Sequence, residues 1–273
     1  MSATITASMV NELRSKTGLG MMECKKALTE ANGDTATAID NLRKKGVKTS
    51  ITERQAGEGR VVASSAEHGR LAVAVEVNCT TDFAAKSDAF GKLLELALHK
   101  LLANPNADVR NDAEVKSAVV STAQQTGENV QIGKAIAIHN PEGYAGAYVY
   151  AITNKIAVLM GFGGEKKPDA EVMKQLGGHI AFAKPLGLTR DAVPADLVAK
   201  EREIAVDQAK QTGKPQAIAE KIAEGKLNSF FAERVLLDQE FFNAGVFKGS
   251  VQNYLKQHGV TLTRYERIEV GQQ

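Results

Sequence analysis

Two runs of alternating apolar and polar residues, 60–67 and 70–78, lie on either side of His68-Gly69. Alternation of period two puts every second side chain on one side of an extended chain, and a glycine-containing turn between two such runs folds them back on each other. The pattern therefore predicts a hairpin, with Leu71, Val73, Val75 and Val77 on one face of its second strand. Thr80, Thr81 and Asp82 follow, all competent helix caps, and open helices over 82–86 and 88–103. Phe90, Leu93, Leu94, Ala97, Leu98 and Leu101 are the core candidates of the longer one, and another helix is expected over 112–125. A second strand group spans 131–138, 144–152 and 155–162, ahead of a helix over 169–183. The order β-β-α-α-β and then β-β-α predicts two related α+β layers with antiparallel sheets rather than alternating βαβ units.

Helical periods occupy both flanks of this core. Residues 4–46 read as three short helices: Met9, Val10 and Leu13 form one stripe, Cys24, Ala27, Leu28 and Ala31 a second, and Ala38, Ile39 and Leu42 a third. Gly18, Gly33 and Gly46 suit their C-terminal ends, and Asp34 stands where an N-cap belongs. Gly18-Leu19-Gly20-Met21-Met22 joins the first two helices. Its apolar side chains either close the bundle's own core or form an exposed knob for a partner. Residues 47–58 read as a linker. Over 196–236, Leu197, Ile204 and Gln211 stand at heptad spacing with Val198, Ala205 and Thr212 beside them. After a break at Gly213-Lys214-Pro215, a weaker period runs through Ile218, Ile222, Gly225 and Ser229. This predicts an antiparallel coiled-coil hairpin, either packed flat or projecting. A helix over 249–258 and a strand over 260–270 then complete the second α+β unit across the inserted hairpin. The expected divisions are 1–54 for bundle and linker, 55–140 and 141–195 with 239–273 for the two core subdomains, and 196–238 for the hairpin.

Composition narrows the functional classes. With 34 Lys and Arg against 32 Asp and Glu, a net charge of +2 and 5% aromatics without Trp, the chain lacks the basic excess and stacking residues of a nucleic-acid binder. The start lacks a secretory pattern, no run of about 18 apolar residues suggests a membrane span, and two cysteines do not make a disulfide framework; a reducing cytoplasmic setting is expected, or an organelle interior if a transit segment was removed. The five histidines are isolated, without H-x-x-x-H or C-x-x-C spacing, so no metal is expected. Residues 127–134 imitate a phosphate loop but hold five residues between the glycines, and Ala135 replaces the Ser or Thr that would meet magnesium. They read as a turn entering a strand, and Gly161-Phe162-Gly163-Gly164, lacking a third fingerprint glycine, as a loop. No cofactor is expected. Cys79 beside a helix N-terminus is either a nucleophile or a buried inert thiol. Phe83, directly after the acidic Asp82 at a strand-to-helix junction, either packs inward or protrudes as an aromatic anchor for a partner.

Several motifs, in order along nearly the whole chain, resemble those of the elongation factor Ts family. They are the stretch from Thr17 through Met21-Met22-Glu23-Cys24 to Leu28, Glu30-Ala31-Asn32-Gly33-Asp34, the stretch from Glu76 through Thr80-Thr81-Asp82-Phe83-Ala84-Ala85 to Lys86, and Gly127-Glu128-Asn129. Later matches are His179-Ile180-Ala181 with Lys184-Pro185, Gly213-Lys214-Pro215 through Lys221, and Glu240-Phe241-Phe242. The resemblance implies a guanine-nucleotide exchange factor, not an enzyme of covalent chemistry, whose partner is the GTPase elongation factor Tu. It implies that Leu19, Met21 and Met22 dock on the partner's nucleotide domain. By the same resemblance Thr81, Asp82, Phe83 and Ala84 would press into that domain, the Phe83 ring parting two partner histidines and disturbing the magnesium and phosphate site. His179 would meet another partner domain. Ala84 stands where the family commonly has Val, and Tyr150 where a His is often found. A homodimer through hairpin or core stays open. The bundle also resembles the ubiquitin-associated fold, which leaves an adaptor or scaffold as the alternative function.

Overall fold

The computed structural model describes residues 5–17, 19–45, 58–211 and 215–272. The expected helix ends at Gly18 and Gly46, the linker over 47–57 and the break at Gly213-Lys214 lie outside them. The chain divides into two compact units, Met1–Arg54 with Val193–Ala232, and Gln55–Ala192 with Glu233–Gln273.

In the first unit, helices α1 (Ala7–Thr17), α2 (Met21–Glu30) and α3 (Thr35–Lys44) surround Val10, Leu13, Cys24, Ala27, Leu28 and Ala38. The buried side of α2 is the stripe at spacing i, i+3, i+4, i+7 that the sequence shows. Its start is capped by Glu23 Oε2, which accepts from the Gly20 N–H at 3.1 Å. Asp34 Oδ1 accepts from the Thr37 N–H at 2.6 Å and caps α3; hydrogen bonding from the Thr37 side chain first, and from its N–H second, holds the Asp34 carboxyl below its usual range. Two longer helices, α8 (Ala195–Lys210) and α9 (Gln216–Arg234), form the hairpin, joined by Lys226 Nζ donating to Gln208 Oε1 at 2.5 Å. The face buried by α9 differs from the expected one: Ala219, Ala223 and Leu227 are buried, whereas Ile218, Gly225 and Ser229 are exposed. Ala219, Ala223 and Leu227 form a stripe at spacing i, i+4, i+8 one position on from Ile218, and that is the face α9 buries. α3 lies along α8, with Lys44–Glu203 and Lys200–Asp40 ion pairs at 2.6 and 2.5 Å.

In the second unit, β1 (Glu58–Ala66), β2 (Leu71–Cys79) and β3 (Gln131–His139) form one antiparallel sheet in that order. The hairpin turn is longer than a two-residue loop. Ala66 faces Leu71, and Glu67, His68 and Gly69 between them all take positive φ, at 52°, 56° and 87°. A second antiparallel sheet orders β4 (Tyr144–Val149), β5 (Ile156–Gly163) and β6 (Thr261–Glu269). Residues beyond the hairpin thus complete the sheet that began before it.

β2 explains why the sheets stack. Its valines and Leu71 pack on Phe90, Leu93, Leu94, Ala97 and Leu101 of α5 (Asp88–Ala103), with α4 (Asp82–Ala85) and α6 (Ala113–Thr126) completing that side. Its alternate residues, Ala72 and Ala74, meet Ala145, Ala157, Leu159 and Ile268 of the second sheet. Large side chains point at the helices and small ones between sheets, so each strand residue from Leu71 to Val77 is buried. β5 repeats the device: Val158, Met160 and Phe162 face α7 (Ala170–Ala183) and α10 (Val251–His258). Here the expectation of a loop at residues 161–164 is corrected. Gly161 to Gly163 belong to β5, and Phe162 is fully buried. A Cβ at Gly161 would meet Arg264 Cγ at 2.9 Å, so the glycine answers close packing within a bulged sheet, not a mobile turn. Glu76 joins distant parts of this unit: buried to 2% exposure, its carboxylate accepts from the N–H groups of Lys134 and Gly271 at 2.9 and 3.0 Å.

Candidate partner-binding surface

The junction between β2 and α4 is built from hydrogen bonds around Thr81. Its hydroxyl accepts from the Ala84 N–H at 3.3 Å and so caps α4. The same hydroxyl donates to Glu128 Oε1, while Glu128 Oε2 accepts from the backbone N–H groups of Thr80 and Thr81 at 3.1 and 2.9 Å. Glu128 reaches this place because Gly127, at φ 70°, ends α6 in the left-handed conformation and turns the chain back. Ala84 and Ala85 face the sheet and are buried, so the short helix presents Phe83 to solvent, 83% exposed. A small residue at position 84 suits this seat on the core. Beside the ring, Asp82 Oδ2 accepts from Lys86 Nζ at 2.8 Å, and that bond holds the carboxyl below its usual range. Both groups are exposed, so the pair adds little to stability, but it fixes a charge next to the ring.

Cys79 donates from Sγ to Thr81 O at 3.1 Å. Burial pushes its thiol up, the Glu128 carboxylate adds to the rise, and the helix N-terminus does not reverse it. A protonated, buried thiol is a poor nucleophile.

The other sequence-selected residues divide. Met21 and Met22 are 55% and 77% exposed, whereas Leu19 is half-buried against the bundle core. His179, expected to meet a partner, is 1% exposed. It sits in α7, and its Nδ1 accepts from the Phe242 N–H at 3.1 Å. The proton must then be on Nε2, which donates to Gln239 Oε1 at 2.9 Å. Burial pulls the imidazole below its ordinary pKa, against the opposing hydrogen bond with Gln239, so it is neutral at pH 7. The ring stacks on Phe241 at 5.5 Å. The surface here is made by its neighbours: Phe182, whose ring meets Tyr150 edge-on at 4.9 Å, and Phe242, both about half exposed. His179 positions that surface and contributes none of it. Glu128, Phe182 and Phe242 were not singled out as site residues from sequence. Glu128 could have been found by asking which acceptor satisfies the free N–H groups before α4.

Among the described residues no group of three or more His, Cys, Asp and Glu is arranged to hold a metal ion, and no helix is long and apolar enough to cross a membrane. The model of the family described as Elongation factor TS matches residues 80–272, from Thr80 of the Thr81–Phe83 junction through β6. Elongation factor Ts of Methylococcus capsulatus is 37% identical over 282 residues, covering 98% of this chain and 93% of the relative. The chain belongs to the elongation factor Ts family. Elongation factor Ts of Acinetobacter baylyi is 39% identical and that of Acinetobacter baumannii 38%, each alignment covering 98% of this chain and 91% of the relative. As an elongation factor Ts member, the chain is a translation elongation factor, and its fold is mixed helix and antiparallel sheet.

Proposed function

We propose that the chain is a guanine-nucleotide exchange factor: it binds elongation factor Tu carrying GDP, disturbs the magnesium and phosphate site, and promotes GDP release during translation elongation in the cytoplasm. Phe83 carries this proposal. An aromatic ring 83% exposed, on a turn with its backbone tied by Glu128 and its neighbours Ala84 and Ala85 locked in the core, is suited to insertion rather than to self-packing. The rigid seat means that little ordering entropy is lost when the ring enters a partner. Asp82 beside it repels phosphate oxygens and competes for their cationic ligands.

No covalent step by this chain is needed. The factor acts by differential binding, holding nucleotide-free partner more tightly than GDP-bound partner, and by reciprocity GDP then weakens the factor. A coupling of about 3 kcal/mol changes either affinity by about 150-fold. Met21 and Met22 offer an adaptable apolar contact on the partner's nucleotide domain, and the Phe182–Phe242 surface supported by His179 a further one.

Release of fluorescent GDP from elongation factor Tu tests this directly. Acceleration by the wild-type chain, kept in Cys79→Ser and lost in Phe83→Ala, is the expected result. Equal activity of Phe83→Ala and wild type overturns the wedge, and ubiquitin binding without exchange activity favours an adaptor instead.

A further inference from the structure

The turn between β4 and β5 carries Ile152, 81% exposed, almost as much as Phe83. Single exposed apolar side chains are common on protein surfaces, so the setting decides. This turn is held on both sides. The Tyr150 N–H donates to Ile156 O at 2.9 Å, the Asn154 N–H donates to Tyr150 O at 2.9 Å, and Asn154 takes φ 52°. Asn154 O accepts from the Val61 N–H of β1 at 2.8 Å, and Lys155 Nζ bonds the Glu58 carboxylate. Ile152 is therefore held out on a fixed backbone, as Phe83 is.

Ile152 and Asp82, the residue before Phe83, line one cleft. A space of about 300 Å³ has Arg60, Asp82, Lys86, Ile152 and Lys155 in its walls. Asp82 is paired with Lys86, and Lys155 with Glu58. That leaves the Arg60 guanidinium, which donates from Nη1 to Ala85 O at 3.4 Å and has no carboxylate within ion-pair distance among the described residues. The cleft thus combines one apolar prong, Ile152, with the positive charge of Arg60 in its wall and reaches the Asp82–Lys86 pair that borders Phe83.

We propose that Ile152 and Arg60 form a second contact, continuous with Phe83, for the same partner: a surface bearing an apolar side chain that covers Ile152 and a carboxylate that pairs with Arg60. This rests on the exchange-factor proposal and adds a division of labour. Phe83 acts on the nucleotide site, and Ile152 with Arg60 supplies affinity and register.

The test measures fluorescent-GDP release from elongation factor Tu over a range of factor concentrations, together with direct binding to nucleotide-free elongation factor Tu. Ile152→Ser is expected to raise the half-saturating concentration and the Kd by about five- to tenfold, with the maximal release rate kept. Arg60→Gln is expected to weaken binding by about threefold at low salt and to converge on wild type near ~1 M salt. Arg60→Lys, which keeps the charge, recovers most of that loss. Ile152→Ser indistinguishable from wild type in both measurements overturns the second contact, and with Phe83→Ala still inactive the exchange proposal survives. An Arg60→Gln defect that is indifferent to salt overturns the carboxylate on the partner. A wild-type chain that neither binds nor accelerates release overturns both proposals.

Discussion

Phe83 and His179 are both aromatic side chains on helices that pack against an antiparallel sheet, yet one is 83% exposed and the other 1%. The difference lies in what their neighbours do. At Phe83 the backbone is held by hydrogen bonds from Thr80 and Thr81 to Glu128, so the ring itself is left without a structural task. At His179 the ring is the structural part: it bonds Gln239 on one side and the Phe242 backbone on the other, across about sixty residues of chain. One region spends its polar groups to release an aromatic ring to solvent, and the other uses a ring as a core bracket for exposed aromatics. Aromatic character and a helical seat therefore do not decide which ring reaches the surface.

That contrast can be broken by substitutions that separate folding from exchange. His179→Ala removes two buried hydrogen bonds and leaves a cavity, so it is expected to cost about 2–4 kcal/mol of stability, read from urea unfolding. A loss near zero would mean that His179 is not a bracket. Phe83→Ala is expected to lower GDP-release activity by at least about thirtyfold, roughly 2 kcal/mol or more, while thermal melting stays within about 0.5 kcal/mol of wild type. A matching loss of stability would show that the ring packs on its own chain. Glu128→Gln sharpens the comparison, because it keeps the shape and removes the charge that Thr80 and Thr81 donate to. About 1 kcal/mol of stability and a severalfold loss of exchange are expected, and a double-mutant cycle with Thr81→Val should show that the two effects are coupled.

The smallest effect is in pH. Because His179 has its pKa depressed in the fold, the unfolded chain takes up the proton first as pH falls through the ordinary histidine value, about 6.5. More protons are then bound unfolded than folded, so this group's contribution to stability declines with falling pH, until the folded pKa is reached. Urea midpoints at pH 7 and near pH 5.5 should differ less in His179→Gln than in wild type. An unchanged difference would deny the depressed pKa.

Much of the fold is legible in the residues. The Val and Ala alternation in β2 and the stripe through Cys24, Ala27 and Leu28 each name a buried face, because local period decides orientation. Where the outcome depends on a distant neighbour, local period fails. The period through Ile218 did not name the buried face of α9, which runs instead through Ala219, Ala223 and Leu227. Gly161 to Gly163 carried a loop composition but are held in β5 by pairing with Arg264, Leu262 and Thr261 of β6, residues far off in sequence. At the site, Asp82 and Phe83 could be singled out from their capping context, yet the exposure of the ring depends on Glu128, more than forty residues onward. The burial of His179 depends on Gln239 and Phe241 in the same way.

The pairing of β5 with β6 has a consequence for how such a chain is made. Residues 156–163 emerge from the ribosome about a hundred positions before residues 261–269, with the whole α8–α9 hairpin between them. Until α10 and then β6 arrive, Phe162 and Met160 lack part of their cover and one edge of β5 stays unpaired, while the first sheet has all its strands by His139. The first sheet can therefore mature while synthesis continues, and the second must wait for strand pairing of long sequence separation, which is intrinsically slow. A translation factor of this design would thus spend part of its own translation with one half assembled and the other open, and slowing the ribosome after residue 163 should lengthen that exposed interval.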